Sequence, residues 1–195
     1  MASEQVDAVD LVDATTVSQL STAVLLAALT AVLAQFSIDL PGGIPFSFQP
    51  FGVFFAGLLL GPVWGSFSLL LYFLVGLAGA PVFSNAQAGI GYVLGPTGGF
   101  LVGFVVAAAV IGFLAHRSLT PRSFDDLSIA WVTVALLVSL VPIYLAGIPW
   151  FSVVQGLSLA SAASVMVPFF VGDLLKVAIT VGIVGGGIEV LPERR

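Results

Sequence analysis

The sequence contains no cysteine and very few charged residues. Of its 195 residues 8% are charged and 59% are hydrophobic, whereas about a quarter of a soluble domain is charged. Between Val17 and Ala115 the one formally charged residue is Asp39. No water-exposed surface can be built from such a composition, so we predict an integral membrane protein with a single membrane domain. The missing cysteines exclude disulfides, thiolate metal sites and cysteine nucleophiles.

The amino terminus is acidic and lacks basic residues, since Glu4, Asp7, Asp10 and Asp13 are its only charged side chains. A secretory signal begins with basic residues before its apolar core, so none is predicted. We expect residues 1–17 to form a disordered cytoplasmic tail. Residues 18–188 are then the membrane domain, and residues 189–195 a second cytoplasmic tail.

Six apolar segments, separated by polar or Pro- and Gly-rich connectors, predict an all-α bundle of six transmembrane helices. The segments are residues 19–36, 49–60, 63–77, 97–115, 127–145 and 168–187. The second segment is short for a full crossing and is expected to tilt or to stop part-way. Gly61-Pro62 separates it from the third.

Basic residues give the orientation. Arg117 and Arg122 follow the fourth segment, and Arg194 and Arg195 follow the sixth. Two crossings separate these pairs, so all four arginines lie on one face, which the positive-inside rule makes cytoplasmic. Both termini of this plasma-membrane protein are then cytoplasmic. The loops IPFSFQP, APVFSNAQAG and GIPWFSVVQG face outward, and we expect a ligand pocket beneath them, near the outer face.

Asp173 and Lys176 lie three residues apart in the last segment, on one helix face. Each costs about 2.5–3.5 kcal/mol at the bilayer centre, so both must face the protein interior or an aqueous pocket. A mutually satisfied structural pair is one interpretation. The other, which we favour, is a ligand that offers donors to the carboxylate and a negative group to the ammonium.

Polar side chains in the outward loops complete the candidate site. Asn85 and Gln49 are carboxamides, which are either solvated or recognise a neutral urea- or amide-like group. Tyr92 and Tyr144 either line a pocket or anchor the chain at the membrane interface. Thr97 follows Gly95-Pro96, a turn that can begin a helix with its free N–H groups directed at a ligand.

Two strips of small residues recur at every fourth position, a spacing that lets helix backbones approach closely. The first strip consists of Gly95, Gly99, Gly103 and Ala107. The second consists of Ala23, Ala27 and Ala31. We expect the glycine strip to pack the bundle internally. The alanine strip either packs internally or mediates association.

Enzymatic functions find little support. The single histidine, His116, is predicted at the cytoplasmic end of the fourth segment, away from the outward loops. The serines of GSFS at residues 65–68 have no histidine at their depth, and clusters of metal-ligand residues are missing. We therefore predict no catalytic residue and no metal ligand.

Four stretches, taken in order, carry a family resemblance. They are LLAALTAVLAQ, IPFSFQPFGVFFAGLLLGPVWGSFSLLLYFLVGLAGAPVF, GPTGGFLVGF and PFFVGDLLK. Together they resemble the BioY family, the biotin-binding S components of energy-coupling-factor (ECF) transporters. The resemblance covers roughly residues 23–180.

The resemblance implies a six-helix bundle that captures biotin near its outer face without a cofactor or nucleic acid. Its implied partners are a transmembrane coupling subunit, onto which the alanine strip docks, and two ATPase subunits. The family's site residues match Asn85, Asp173 and Lys176. We assign Asn85 and Asp173 to the ureido group of biotin and Lys176 to its carboxylate. Phe100 stands where the family commonly has tyrosine, which removes one hydroxyl.

Two alternatives stay open from the sequence. One is an S component for a different vitamin on the same scaffold. The other is a small channel or an assembly protein, with no saturable ligand.

Overall fold

The computed structural model describes residues 13–40 and 43–190, without the side chains of residues 125 and 187–190. The fold is built almost entirely from helices. In chain order the elements are α1 (Ala14–Gln35), β1 (Ser37–Asp39), β2 (Pro45–Ser47), α2 (Gln49–Leu77), α3 (Gly89–Val93), α4 (Gly98–His116), α5 (Ile129–Gln155) and α6 (Leu159–Val190). Single 3-10 turns lie at Ser84–Ala86 and Phe124–Asp126.

Five of these helices, α1, α2, α4, α5 and α6, are long and apolar enough to cross a membrane. The prediction of a helical membrane protein is thereby confirmed. The antiparallel hairpin β1–β2 was not predicted, since the turn-forming residues DLPGGIP indicated only a loop. It pairs Ser37 with Ser47, Ile38 with Phe46 and Asp39 with Pro45, and its strands are too short to show a periodic pattern.

Helix α2 reverses direction at Gly61. This glycine has φ 71° and ψ −171°, a left-handed backbone that a residue with a Cβ rarely adopts. Gln49 and Tyr72 are 23 residues apart, yet their side chains are joined by a 2.6 Å hydrogen bond. In a straight helix they would be about 35 Å apart. The segments before and after Gly61 therefore run antiparallel, as the Gly61-Pro62 interruption predicts.

The helix ends differ from the expected boundaries. Ala14 begins α1, so the last residues of the expected 1–17 tail are helical, while residues 1–12 lie outside the described part. Helix α5 continues to Gln155, and α6 begins at Leu159 rather than at Pro168. The prolines inside α5 and α6 do not end these helices, because neighbouring groups in a membrane bundle can satisfy the carbonyls that proline frees. The expected tail at 189–195 shares residues 189 and 190 with α6, and the rest is not described.

The glycine strip packs α4 against α5, as predicted. A Cβ added to Gly103 would lie 2.8 Å from the Cα of Ile143, and one added to Gly99 would lie 2.5 Å from the carbonyl oxygen of Ala146. Ala107 is fully buried. The two backbones touch here because the strip carries no larger side chain.

The alanine strip also faces inward, against α2. Ala23 and Ala27 are 0% and 7% exposed, and Ala31 packs on the same core. The carbonyl oxygen of Ala23 accepts a 2.8 Å hydrogen bond from Ser68 Oγ of α2. The strip therefore packs internally in this structure, and its docking role stays a prediction, since Ala31 is only partly buried. Spacing alone did not show which neighbour the strip meets.

His116 supports the reversal in α2. The break at Gly61, followed by a proline that has no N–H, leaves the carbonyl of Leu58 without its helical donor. Fully buried His116 places Nε2 2.9 Å from that oxygen, while its Nδ1 accepts the backbone N–H of Arg122 at 3.0 Å. These partners fix the neutral imidazole with its proton on Nε2.

His116→Leu should therefore lower the free energy of unfolding by about 1–3 kcal/mol, because it leaves the buried Leu58 carbonyl unsatisfied. Thermal unfolding in detergent measures this change. His116→Gln keeps an N–H donor and should recover much of the loss. Equal losses in the two variants would contradict the role of the hydrogen bond.

Candidate functional site

A pocket lies between strand β2, helices α4, α5 and α6, and the short helix α3. The cavity inside it has a volume of about 60 Å³, below the roughly 300–1,000 Å³ that is usual for small-molecule sites, so a larger ligand requires the lining side chains to move apart. Its lining residues are Ile44, Pro45, Phe46, Ser47, Gln49, Pro50, Tyr92, Thr97, Phe100, Leu101, Phe104, Ile143, Tyr144, Met166, Phe169, Asp173 and Lys176. Five of the six substrate-binding residues predicted from the sequence are among them.

One end of the pocket, the charged pole, is formed by Asp173, Lys176 and Tyr144. Lys176 Nζ lies 2.8 Å from Asp173 Oδ1, and the Tyr144 hydroxyl donates to Asp173 Oδ2 at 2.7 Å. Asp173 and Lys176 are only 6% and 5% exposed. The two charges therefore compensate each other away from lipid, and the pole as a whole is neutral.

A second group of polar side chains in the lining, the amide–hydroxyl pole, consists of Gln49, Tyr92 and Thr97. The Gln49 carboxamide is held on both sides. Its Oε1 accepts from Ser47 Oγ at 2.7 Å and from Ser84 Oγ at 3.0 Å, and its Nε2 donates to Tyr72 at 2.6 Å. Gln49 thus connects the hairpin and α2 to the loop of residues 78–88, which contains Ser84, and it fixes this part of the pocket wall.

Thr97 is the polar group in the pocket that lacks a partner. The residue is 7% exposed, and its Oγ1 has no hydrogen-bond partner among the described residues. A buried hydroxyl left unpaired costs about 1–3 kcal/mol. Thr97 lines the pocket, so a ligand atom can satisfy the hydroxyl.

Tyr92 presents its phenol to the same region and stacks on Phe83, with ring centroids 5.1 Å apart. Burial raises the pKa of the Tyr92 hydroxyl, although the nearby polar side chains of Thr97 and Ser84 oppose the shift. The group is therefore protonated at neutral pH and can donate a hydrogen bond.

Apolar side chains form the rest of the lining. The wall consists of Phe100, Leu101 and Phe104 from α4, Ile143 from α5, and Met166 and Phe169 from α6. A ligand with an apolar middle and a polar group at each end matches this distribution.

Asn85 does not reach the pocket. It is exposed, has φ 57°, and donates from Nδ2 to Asp39 at 2.7 Å, while Ser37 Oγ donates to its Oδ1 at 2.8 Å. Strand β1 of the hairpin therefore holds the carboxamide, and the structure does not bring Asn85 together with Asp173 and Lys176. A partner so distant in the chain could not be inferred from sequence spacing.

Sequence reasoning missed the residues that hold the site together. Gln35, at the end of α1, accepts the backbone N–H of Ala86 at 2.9 Å and donates to the carbonyl of Phe83 at 3.1 Å. A polar residue ending the apolar run VLAQ was the available signal. Tyr144 had an interfacial interpretation as an alternative, and only the structure shows its bond to Asp173.

The family follows from sequence comparison. The statistical model of the BioY family matches residues 4–193, nearly the whole chain. This chain belongs to the BioY family. The membership predicted from GPTGG, GDLLK and the other stretches is confirmed.

Individual members of the BioY family agree with this assignment. A "Probable biotin transporter BioY" of Pyrococcus horikoshii is 36% identical over 163 residues, covering 84% of this chain and 91% of that protein. A "Biotin transporter BioY" of Thermotoga maritima is 40% identical over 167 residues, covering 85% of this chain and 83% of that protein. A crystal structure described as the S-component for biotin from an ECF-type ABC transporter aligns with a TM-score of 0.75 and 24% identity. The alignment covers 89% of this chain and 92% of that chain, and the two chains have the same fold.

The contact between Asn85 and Asp39 can be tested by exchanging the two groups. Asn85→Asp places two carboxylates against each other and destabilises the hairpin by about 1 kcal/mol, as expected at an exposed site. Hydrogen exchange of the hairpin amides should therefore accelerate about fivefold. Combining it with Asp39→Asn restores a carboxylate–carboxamide pair and should restore the wild-type exchange rates. Additive effects in the double variant would contradict a direct contact.

Proposed function

We propose that this BioY-family chain is the biotin-capturing S component of an ECF-type vitamin uptake transporter. The observation that carries the proposal is the buried Asp173–Lys176 pair in the lining of a pocket that also contains the unpartnered hydroxyl of Thr97. The names of the P. horikoshii and T. maritima relatives support biotin as the ligand.

Biotin has the polarity that the pocket requires. Its ureido group is neutral and carries two N–H donors and one carbonyl acceptor, its bicycle and chain are apolar, and its tail ends in a carboxylate. Asp173 can accept from ureido N–H groups, and Lys176 has N–H donors left for the carbonyl. The apolar wall then packs on the bicycle and the chain.

Charge balance orients the ligand. Lys176 is already neutralised by Asp173 at 2.8 Å, so a carboxylate placed beside it would leave one uncompensated buried charge, which costs several kcal/mol. The neutral ureido group at the charged pole leaves the ion pair balanced, and the carboxylate must then reach the part of the pocket that is open to solvent. The carboxylate tail then extends toward Thr97 and Tyr92, which can donate to it. This orientation keeps Asp173 at the ureido group and revises our assignment of Lys176 to the carboxylate.

The remaining predicted site residues act through the pocket wall in this proposal. Gln49 fixes β2 and the loop of residues 78–88 through the hydrogen bonds that its carboxamide oxygen accepts from Ser47 and Ser84. Asn85 joins the same loop to the hairpin through Ser37 and Asp39. Both position ligand-contacting groups without touching the ligand.

For the membrane arrangement we infer six crossings, with the two antiparallel segments of α2 counted separately. Arg117 and Arg122 lie beyond the end of α4 opposite Thr97, and the positive-inside rule makes that end cytoplasmic. The pocket then opens outward and both termini are cytoplasmic. The segment 49–60 is about 18 Å long as a helix, less than the hydrocarbon thickness, so it need not cross fully.

Energy for uptake comes from other subunits in this proposal. GPTGG is not followed by the Lys and Ser/Thr of a phosphate-binding loop. The ECF type of the structural relative supports a transmembrane coupling subunit and two ATPase subunits as partners. The chain itself is a passive capture subunit and not an enzyme, and it uses biotin as transported ligand and no cofactor.

Direct binding tests the proposal. Purified protein should bind biotin saturably, and Lys176→Met should weaken the binding by about 2 kcal/mol or more, because it removes a donor and leaves Asp173 buried without its cation. Isothermal titration in detergent measures the affinity, with Arg117→Gln as a control at the opposite end of the bundle. A vitamin that displaces labelled biotin at lower concentration than biotin itself would replace the assigned ligand, and no saturable ligand at all would favour a channel or assembly protein.

Biotin methyl ester separates the two ligand orientations in the same assay. With the ureido group at the charged pole the ester should bind within about threefold of biotin, since no cation pairs with the tail. A loss of tenfold or more for the ester would return the carboxylate to Lys176.

Thr97→Val should separate binding from stability. The substitution keeps the side-chain shape and removes an unpaired buried hydroxyl, so the unfolding temperature should stay equal or rise. Biotin affinity should fall about five- to tenfold, as for one lost hydrogen bond. Thr97→Ser keeps the hydroxyl and should bind as the wild type does. Unchanged affinity in Thr97→Val would remove this hydroxyl from the site.

A further inference from the structure

Phe46 brings an aromatic ring to the charged pole from the hairpin. The residue lies on β2, opposite Ile38 of β1. Its ring centroid is 4.2 Å from Lys176 Nζ, within the range of a cation–π contact. The ring also lies near Phe169 of α6, with centroids 6.3 Å apart. The hairpin is thus joined to α6 at the ionised pair itself.

Gly172 provides the space for this ring. A Cβ built on Gly172 would overlap the Phe46 ring, so any larger residue would displace it. Gly172 directly precedes Asp173 on α6, which places the notch beside the ion pair. The position of the ring therefore depends on one glycine and on the hairpin.

The ring and the carboxylate together define what Lys176 can bind. Asp173 Oδ1 contacts the ammonium at 2.8 Å, and the Phe46 ring faces it at 4.2 Å. An aromatic face carries the negative part of the ring quadrupole, so it attracts the ammonium and repels an anion. Both described neighbours are electron-rich, and both oppose the approach of a carboxylate.

We propose that Phe46 is a specificity-determining residue that shields the Lys176 ammonium, so that the charged pole accepts a neutral cyclic urea and rejects a carboxylate. The inference rests on the proposed function and extends it, because it assigns the ligand's orientation to a hairpin residue. Gly172 is the positioning residue that seats the ring.

The test separates the two ends of biotin. Purified full-length protein is loaded with labelled biotin, which is then displaced with 2-imidazolidinone, a neutral cyclic urea, or with pentanoate, a carboxylate with a short apolar chain. In Phe46→Leu the Lys176 ammonium is open to anions, because the cation–π contact with the ring is lost. The inhibition constant of pentanoate should therefore fall about tenfold relative to wild type, which corresponds to the energy of one desolvated cation–π contact. The constant of 2-imidazolidinone should change by less than about threefold.

Three variants isolate the cause. Phe46→Trp keeps an aromatic face and should retain the wild-type ratio of the two inhibition constants. Gly172→Ala expels the ring without changing it and should reproduce the gain for pentanoate. The gain should vanish when Phe46→Leu is combined with Lys176→Met, because the ammonium is then missing. Phe48→Leu removes an aromatic ring next to the hairpin but outside the pocket lining, and should behave as wild type.

The outcomes distinguish this inference from the proposed function. If labelled biotin binds but pentanoate inhibits Phe46→Leu and Gly172→Ala no better than wild type, Phe46 does not set the specificity, and the proposed function stands. A gain that persists without Lys176 would overturn the shielding as well. If the wild-type protein binds no biotin, the proposed function and this inference both fail.

Discussion

The ion pair between Asp173 and Lys176 is the interaction on which the site depends. An ionised group on a membrane helix must face protein or water, so this pair fixes the rotation of α6 about its axis. Burial then requires partners, and three elements supply them. Asp173 and Lys176 bind each other on α6, Tyr144 donates from α5, and Phe46 covers the ammonium from the hairpin. The pocket is the space that these partners enclose.

Close packing elsewhere in the bundle allows this arrangement. Gly99 and Gly103 bring the backbones of α4 and α5 into contact, so the larger side chains of α4 are available to line the pocket. Phe100 is one of them, and its ring meets Tyr144 edge-on at 6.1 Å. The tyrosine common at this position in the family would add a hydroxyl here. In this chain Tyr144 supplies the hydroxyl that Asp173 binds, so the pole is complete without one at Phe100.

Sequence reasoning located the features that have local causes. The cost of a charge in lipid is a property of the segment that carries it, so Asp173 and Lys176 could be identified from composition alone. The reversal at Gly61 also has a local cause, since the Gly-Pro pair that interrupts the helix can be recognised in the sequence. The partners of Asn85 and of the alanine strip were not predicted, because their environment is set by residues distant in the chain, Asp39 for the carboxamide and Ser68 for the helix face. The ends of α5 and α6 were misplaced because a membrane bundle tolerates the prolines that would end a helix in water.

A buried ion pair adds little to stability, because desolvation offsets most of its Coulomb energy, whereas removing one partner is expensive. The small gain in stability agrees with the proposed role of this pair in binding, and so does the Thr97 hydroxyl. Its missing partner costs the folded chain free energy that a bound ligand atom can return. The ion pair and the Thr97 hydroxyl line one cavity together with apolar side chains. In the proposed function, a ligand that is apolar in its middle, neutral at one end and hydrogen-bonding at the other contacts all of these groups, and a shorter or uniformly apolar molecule does not. The polar groups of the lining, more than the volume of the pocket, thus select the ligand.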